Sequence, residues 1–236
     1  MAQSQALLLI ADIGGYTKYM RLHRVSLAHA QANIARLLET VIDAVPRLEL
    51  IEIEGDAAFL SSPLAGHDDS AAKAATEAAV AMHRAFHTEL QQMIALNMCS
   101  CDGCAQTRDL KLKFIAHVGE VATQTIRGRK SLVGVDVILV HRLLKNTVPL
   151  SEYVLLSEDL YRRGEAAIGR AALIEEELEG LGRTRAYFID LSEIADAVPP
   201  TPPARVPKRV AATLGVMGRG LPYVLGIRRP RAAAAD

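Results

Sequence analysis

Two aspartates, Asp12 and Asp56, stand where short apolar segments of the sequence end in turns. Asp12 follows the apolar run at residues 7–10 and precedes a glycine pair, and Asp56 follows Gly55 between two further apolar segments. An acidic residue at the carboxyl end of a buried strand lies where α/β sheets usually bind their ligands. Alone, however, Asp12 could cap the following helix, and Asp56 could be an ordinary turn residue.

The pair is more specific than either member. Residues 48–60 predict a β-hairpin that turns at Gly55, and such a hairpin beside the first strand would bring Asp12 and Asp56 together. Converging carboxylates repel each other unless one is protonated or a cation lies between them. Their oxygens suit Mg²⁺ or Mn²⁺, with water and substrate phosphates as further ligands. We therefore predict a divalent metal site at this pair.

The spacing of apolar residues predicts the elements that must position the pair. Helical patterns cover residues 17–45, 71–97 and 134–146, with a short helix at 157–164. Strand patterns cover residues 7–10 and 153–156 and the hairpins 48–60, 110–126 and 172–191, the second of which should turn at Gly119-Glu120. Long helices between pairs of antiparallel strands indicate an α+β sandwich of the ferredoxin-like kind, with one helical layer.

The composition of the chain argues against several classes of function. Among 236 residues, 27 Lys and Arg balance 27 Asp and Glu, so no net field attracts nucleic acid. The chain has no run of about 20 uninterrupted apolar residues, the length of a spanning helix. Its first residues, MAQSQ, lack the basic region of a signal peptide. These features predict a soluble cytoplasmic protein without a nucleic-acid partner.

The three cysteines of the chain, Cys99, Cys101 and Cys104, form one cluster. Three thiolates need a fourth ligand for tetrahedral zinc, for which His83, His87 or a partner's residue is a candidate. A loop disulfide, a redox role and three reduced thiols without metal are the alternatives. His83 and His87 lie one helical turn apart and could themselves bind zinc, but packing histidines are commoner and the HExxH frame is missing.

Four motifs, taken in order, resemble those of class III nucleotidyl cyclase catalytic domains, and within them a divergent bacterial branch. Residues 12–17, DIGGYT, are similar to the first metal motif of that family, and Gly55-Asp56 resembles the second. Residues 115–119, IAHVG, resemble a strand that the family writes as I-H-x-G. Gly134 and residues 137–143 resemble a helix whose arginine aligns with Arg142. The resemblance covers residues 6–191.

The resemblance implies a nucleotidyl cyclase fold with a mostly antiparallel sheet and a two-metal mechanism. Asp12 and Asp56, with the Ile13 carbonyl, would hold two Mg²⁺ or Mn²⁺ ions at a nucleoside triphosphate. Arg142 would stabilise charge that develops on the α-phosphate. The site of this family forms between two subunits, so a homodimer is implied.

Further ligand contacts follow from the same resemblance. Gly15 and Thr17 belong to the first motif and would lie at the nucleotide phosphates. The late phosphate-binding lysine of the family falls near Glu179, and Arg183 or Arg185 is the candidate to replace it.

Three other positions depart from the family pattern. Glu52 stands where cyclases carry a base-reading lysine, Leu132 where they carry a second base-reading residue, and Ile138 where they carry a transition-state asparagine. Removing one such donor typically costs about 3 kcal/mol of transition-state stabilisation. We therefore expect a cyclase-fold protein that binds a metal and a nucleoside triphosphate-like ligand, with weak or absent turnover. An active adenylate or guanylate cyclase and a non-catalytic dimeric interaction or regulatory module are the alternatives.

Composition changes after Leu191. We divide the chain into a cyclase-like domain at residues 1–192, a proline-rich linker at 193–207 and a basic, apolar tail at 208–236. The tail could be an interfacial anchor on the inner face of the membrane, with arginines on acidic lipid. A disordered or partner-docking tail is the competing interpretation.

Overall fold

The computed structural model describes residues 3–23, 27–64, 70–97, 102–168, 171–196, 198–199, 201–202 and 204–209. Its strands form one eight-stranded sheet in the order β2-β3-β1-β4-β6-β8-β7, with β5 paired to β4. The strands are β1 Gln3–Gly14, β2 Glu49–Glu54, β3 Ala57–Pro63, β4 Lys111–Ile126, β5 Arg129–Val133, β6 Tyr153–Ser157, β7 Ala172–Leu178 and β8 Gly182–Asp190. Only β4 and β6 pair in parallel among these strands.

Helices occupy the connections. They are α1 Tyr16–Leu22, α2 Leu27–Asp43, α3 Ala71–Leu96, α4 Asp102–Gln106, α5 Val135–Arg142, α6 Glu158–Ile168 and α7 Leu191–Ile194, with a 3₁₀ turn at Thr107–Asp109. The helix α3 is long because its alanine-rich sequence has high helix propensity, and its small residues let it pack closely on its neighbours. None of the helices described here is long and apolar enough to cross a membrane.

Strand β1 lies in the middle of the sheet and is buried on both sides. Side chains alternate along a strand, so Leu7 and Leu9 face one apolar core while Leu8 and Ile10 face the other. The first core contains α2, α3 and α6, and the second contains α5. The fold class predicted from the sequence is confirmed, but helices cover both faces of the sheet rather than forming one layer.

Strand β4 does not turn where the sequence analysis placed a turn. It continues through Gly119 and Glu120 to Ile126, and its hairpin partner is β5, after a turn at Arg127-Gly128. The predicted turn at Gly119 was therefore wrong. A Cβ atom on Gly119 would lie 2.2 Å from the Asp136 carboxyl group, so the glycine makes room for α5.

The end of the chain is described only in part. The tail predicted at 208–236 lies outside the described residues from position 210 onward. In the linker, the Ala204 amide donates to the Ala95 carbonyl over 3.3 Å, and at the start of the tail Arg209 Nη2 donates to the Asn97 carbonyl over 2.6 Å. The end of the linker and the first residues of the tail therefore lie against the C-terminal end of α3.

Candidate functional site

Asp12, near the end of β1, and Asp56, directly before β3, lie at the same end of these two adjacent strands. Asp12 pairs with Ala57 across β1 and β3, and Asp56 occupies the turn directly before Ala57. The Ile13 amide donates to the Asp56 carbonyl over 3.1 Å, which ties this turn to the end of β1. Burial, followed by the nearby charge of Asp12, raises the pKa of the Asp56 carboxyl to about 6. The structure thus places two interacting carboxylates side by side.

A lysine that the sequence analysis did not single out lies beside the pair. Lys113 Nζ is 3.1 Å from Asp12 Oδ2 and donates to the Leu144 carbonyl over 3.2 Å. The side chains of Lys113 and Asp12 are 23% and 19% exposed, so this ion pair is largely shielded yet accessible to solvent. Lys113 also lowers the pKa of Asp56, although burial and Asp12 outweigh it. The chain therefore carries its own cation at the predicted metal site.

The remaining residues of the first motif follow Asp12 directly. The Ile13 side chain is buried in the core beneath the strand end. Gly15 has a φ of +86° and precedes the first turn of α1, a left-handed conformation that favours glycine. Thr17 is exposed on that first turn. Gly15 and Thr17 thus lie at the same end of β1 as the aspartate pair.

The predicted arginines lie in another part of the chain. Arg142 ends α5, where its Nη2 atom is 3.9 Å from Glu179 Oε2 in the β7–β8 turn. Arg183 and Arg185 both pair with Glu175 across the β7–β8 hairpin. Strands β4 and β6 separate β8 from β1 in the sheet. No contact described within a single chain joins these arginines to Asp12 or Asp56.

Two of the departures from the cyclase pattern are exposed. Glu52 is exposed on β2, and Ile138 is 48% exposed on α5. Leu132, in contrast, is half-buried on β5 and packs against the core that contains α5. None of these three side chains brings a cationic group to the predicted site.

The I-H-x-G segment has a structural role. His117 is buried, with Nδ1 2.7 Å from the Ser157 hydroxyl and Nε2 3.1 Å from Asp136 Oδ1. The Glu120 amide donates to the other Asp136 oxygen over 2.6 Å. His117 and the Glu120 amide lower the pKa of the Asp136 carboxyl, although burial opposes them. These contacts fix the start of α5 against β4 and β6.

The cysteine cluster is described only at Cys104, which is buried in the middle of α4. Cys99 and Cys101 lie outside the described residues, so zinc at this cluster stays a prediction. A different group of metal-ligating side chains is formed by His83 and His87 of α3 with Glu152, directly before β6. Sequence reasoning missed Glu152, because it is 65 residues from His87 and belongs to no recognisable motif.

Comparison with known proteins places the chain in a family. The model described as "Protein of unknown function (DUF2652)" matches residues 34–153. The protein Rv2561/Rv2562 of Mycobacterium tuberculosis (strain ATCC 25618 / H37Rv) is 36% identical over 197 residues, which cover 83% of this chain and 91% of that protein. The chain belongs to the DUF2652 family.

Solved structures show the fold that this DUF2652 member adopts. The adenylyl cyclase CyaB from P. aeruginosa is 15% identical with a TM-score of 0.59, over 85% of this chain and 98% of the solved CyaB chain. A class III adenylyl cyclase-like ATP-binding protein from Pseudomonas aeruginosa is 16% identical with a TM-score of 0.56, over 69% of this chain and 35% of that protein. Guanylyl cyclase domains are also similar. The class III nucleotidyl cyclase resemblance is thus confirmed for the fold.

Proposed function

We propose that this DUF2652 member binds a divalent metal ion, Mg²⁺ or Mn²⁺, and a nucleoside triphosphate-like ligand through Asp12 and Asp56, with weak or absent cyclase turnover. The observation that carries the proposal is the convergence of two carboxylates at adjacent strand ends, close enough for Asp12 to raise the pKa of Asp56. Carboxylate oxygens with open positions for water and phosphate suit these ions. The metal, when bound, would neutralise triphosphate charge.

The position of Lys113 indicates how the site would rearrange when a metal ion binds. The Lys113 ammonium group lies 3.1 Å from Asp12 Oδ2 and balances the charge of that carboxylate. A metal ion that takes the Asp12 oxygens would displace that ammonium group, because two cations repel each other at this distance. The freed Lys113 would then be available to donate hydrogen bonds to phosphate oxygens. Gly15 and Thr17, which follow Asp12, would lie next to the same phosphates.

Two features of the other predicted site residues support slow or absent turnover. The side chain of Ile138 cannot donate a hydrogen bond, and a missing side-chain donor of this kind costs about 3 kcal/mol in the transition state. Arg142, Arg183 and Arg185 pair with Glu179 and Glu175 in a single chain. Any of these arginines that acts on the ligand would therefore have to come from the second subunit of a homodimer.

Two other functions have specific support. An active adenylate or guanylate cyclase is favoured by the aspartate pair, by Arg142 and by the similarity in fold to CyaB. A non-catalytic dimeric interaction module is favoured by Lys113, which already neutralises Asp12 without a metal. The ATP-binding protein of Pseudomonas aeruginosa is described as cyclase-like, which favours ligand binding on this fold.

A thermal-shift series with Mn²⁺ and ATP or GTP, followed by product analysis, tests the proposal. We expect the melting temperature to rise with metal and nucleotide in the wild type and in Asp43→Asn, whose carboxylate is exposed at the end of α2. The rise should be lost in Asp12→Asn and Asp56→Asn. Rapid cyclic nucleotide formation that Asp12→Asn abolishes would indicate an active cyclase. No shift with either nucleotide would overturn the proposal in favour of the interaction module.

A further inference from the structure

Helix α3 and the segment before β6 bring three metal-ligating side chains together. His83 and His87 are one helical turn apart, with ring centroids separated by 4.4 Å. Their Nε2 atoms lie 3.4 Å and 2.6 Å from the same oxygen, Glu152 Oε1. The three side chains are only 12%, 16% and 19% exposed. One atom from each residue therefore points to a common, largely shielded position.

The spacing is close to what a small tetrahedral ion requires. Zinc binds nitrogen and carboxylate oxygen at about 2.0–2.2 Å, so two ligand atoms of a tetrahedral site are about 3.3 Å apart. The His83 to Glu152 distance of 3.4 Å already matches this value. The His87 to Glu152 distance of 2.6 Å would have to increase by about 0.7 Å, which a side-chain rotation allows. The backbone can stay where it is.

Glu152 is held in place as an ionised ligand. The Leu112 amide donates to Glu152 Oε1 over 3.2 Å, and Lys111 Nζ is 3.6 Å from Oε2. Burial raises the pKa of the Glu152 carboxyl, but the hydrogen bonds from His83 and His87, the charge of His87 and the Leu112 amide outweigh it, and the pKa lies below its ordinary value. Glu152 is therefore ionised and oriented towards both histidines. An ion that binds there would replace these hydrogen bonds, and the two Nε2 atoms would lose the protons that they share with Glu152.

We propose that His83, His87 and Glu152 form a three-ligand site for zinc or a similar divalent transition-metal ion. Two imidazole nitrogens and one carboxylate oxygen favour such an ion over Mg²⁺, which prefers oxygen ligands. The site does not depend on Asp12 and Asp56 or on the cysteine cluster. Its metal would connect α3 to the segment between α5 and β6, two parts of the chain that are 65 residues apart.

The three proposed ligands lie at a groove, which would leave a fourth coordination position accessible. The three ligands line this open groove of about 460 Å³ together with Gln91 and Asp190. Three protein ligands with an accessible fourth position are typical of metal sites that bind water or an exogenous ligand. His83 Nδ1 is buried without a hydrogen-bond partner in the described part of the chain. Because such second-shell partners strengthen metal binding, we expect weaker affinity than in closed structural zinc sites.

Zinc titration of the full chain, after removal of metal with a chelator, tests the site. We expect one equivalent of Zn²⁺ per chain by calorimetry and metal analysis, and the same stoichiometry in Asp12→Asn/Asp56→Asn. Loss of a second-shell partner costs 10- to 100-fold in affinity, so loss of a ligand should cost more than about 100-fold in His87→Gln and Glu152→Gln. The Cys99→Ser/Cys101→Ser/Cys104→Ser variant should keep the site.

Spectroscopy on the wild type covers the case in which a variant does not fold. Co²⁺ should give visible ligand-field bands without thiolate charge-transfer bands, and Zn²⁺ should shift the ring NMR signals of His83 and His87. No stoichiometric zinc binding by the wild type would overturn the proposal. So would zinc binding that is lost in the cysteine variant and kept in His87→Gln, or ring signals that do not move.

Discussion

The protonation of Asp56 couples the stability of the protein to pH. Its pKa is raised in the folded chain from 3.8 to about 6, mainly by burial and then by Asp12. A carboxyl with a raised pKa favours the folded state when it is protonated. This contribution is complete below pH 3.8 and is lost as the pH rises through 6. A metal ion at the pair must therefore compete with this proton below about pH 6.

We expect Asp56→Asn to be more stable than the wild type at pH 8. After allowance for solvent screening, its free energy of unfolding should be higher by about 1–2 kcal/mol. The difference should shrink as the pH falls through 6 and vanish below 4, where both side chains are neutral. Urea denaturation across this pH range measures it. Asp43→Asn, exposed on α2, should show no such trend. A constant difference at all pH values would contradict the raised pKa.

The counterion role of Lys113 gives a second prediction. Lys113→Met leaves Asp12 and Asp56 without their nearest cation, so the metal-free protein should lose about 1–3 kcal/mol of stability. Added Mn²⁺ should then raise the melting temperature more than it does in the wild type, since the ion no longer displaces an ammonium group. Differential scanning fluorimetry with and without Mn²⁺ checks both effects.

Lys130→Met is the matched control for that experiment, because Lys130 pairs with Glu49 on the exposed surface. Without added metal, Lys130→Met should change the free energy of unfolding by no more than about 0.5 kcal/mol. It should also leave the response of the melting temperature to Mn²⁺ unchanged. If Lys113→Met abolished the Mn²⁺ response, Lys113 would be part of the ligand site and not a competitor of the metal.

Among the elements, α5 depends on one glycine in β4. A methyl group on Gly119 would lie 2.2 Å from the Asp136 carboxyl group, and Asp136 cannot move freely because His117 and the Glu120 amide hold it. We therefore expect Gly119→Ala to cost about 2–3 kcal/mol in the free energy of unfolding. Chemical denaturation measures this loss. Gly14→Ala, whose nearest contact would be 3.5 Å away, should cost less than about 1 kcal/mol; equal losses would refute the steric explanation.

Gly119 also illustrates what the sequence can predict. The strand β1, the β2–β3 hairpin and the helix α3 were predictable because apolar periodicity and local turn residues specify them. A glycine followed by a charged residue indicates a turn, but the reason for Gly119 is a contact with Asp136, 17 positions later. Such a tertiary contact leaves no local pattern.

The same limit applies to the candidate site. Asp12 and Asp56 were predictable, since each ends an apolar segment at a glycine-containing turn. Lys113 looked like an ordinary polar residue of an alternating strand, and only the register that pairs it with Asp12 reveals its role. The role proposed for Glu152 likewise depends on the packing of α3 beside β6, which brings it to His83 and His87. Strand register and helix docking depend on the whole sheet, so neighbouring residues do not encode them.

Helix α5 exposes apolar side chains on the surface of the molecule. Val135 is 64% exposed and Ile138 is 48% exposed, although Val140 of the same helix is fully buried. Exposed apolar side chains on one helix favour a contact with another chain. The same helix carries Arg142, so a second copy that packs here would bring an arginine of one subunit towards the other. The homodimer of the proposed function would use this surface.

We expect the full chain to sediment as a dimer and Ile138→Lys to shift it to the monomer, because a buried unpaired ammonium group is unfavourable in an apolar interface. Sedimentation velocity at several concentrations measures the change. Leu173→Lys replaces an equally exposed leucine on β7 and should leave the dimer intact. If nucleotide binding also requires two chains, Ile138→Lys should lose the thermal shift with Mn²⁺ and ATP while Leu173→Lys keeps it. A dimer that Leu173→Lys disrupts and Ile138→Lys preserves would place the interface at the β7 edge and separate Arg142 from the partner chain.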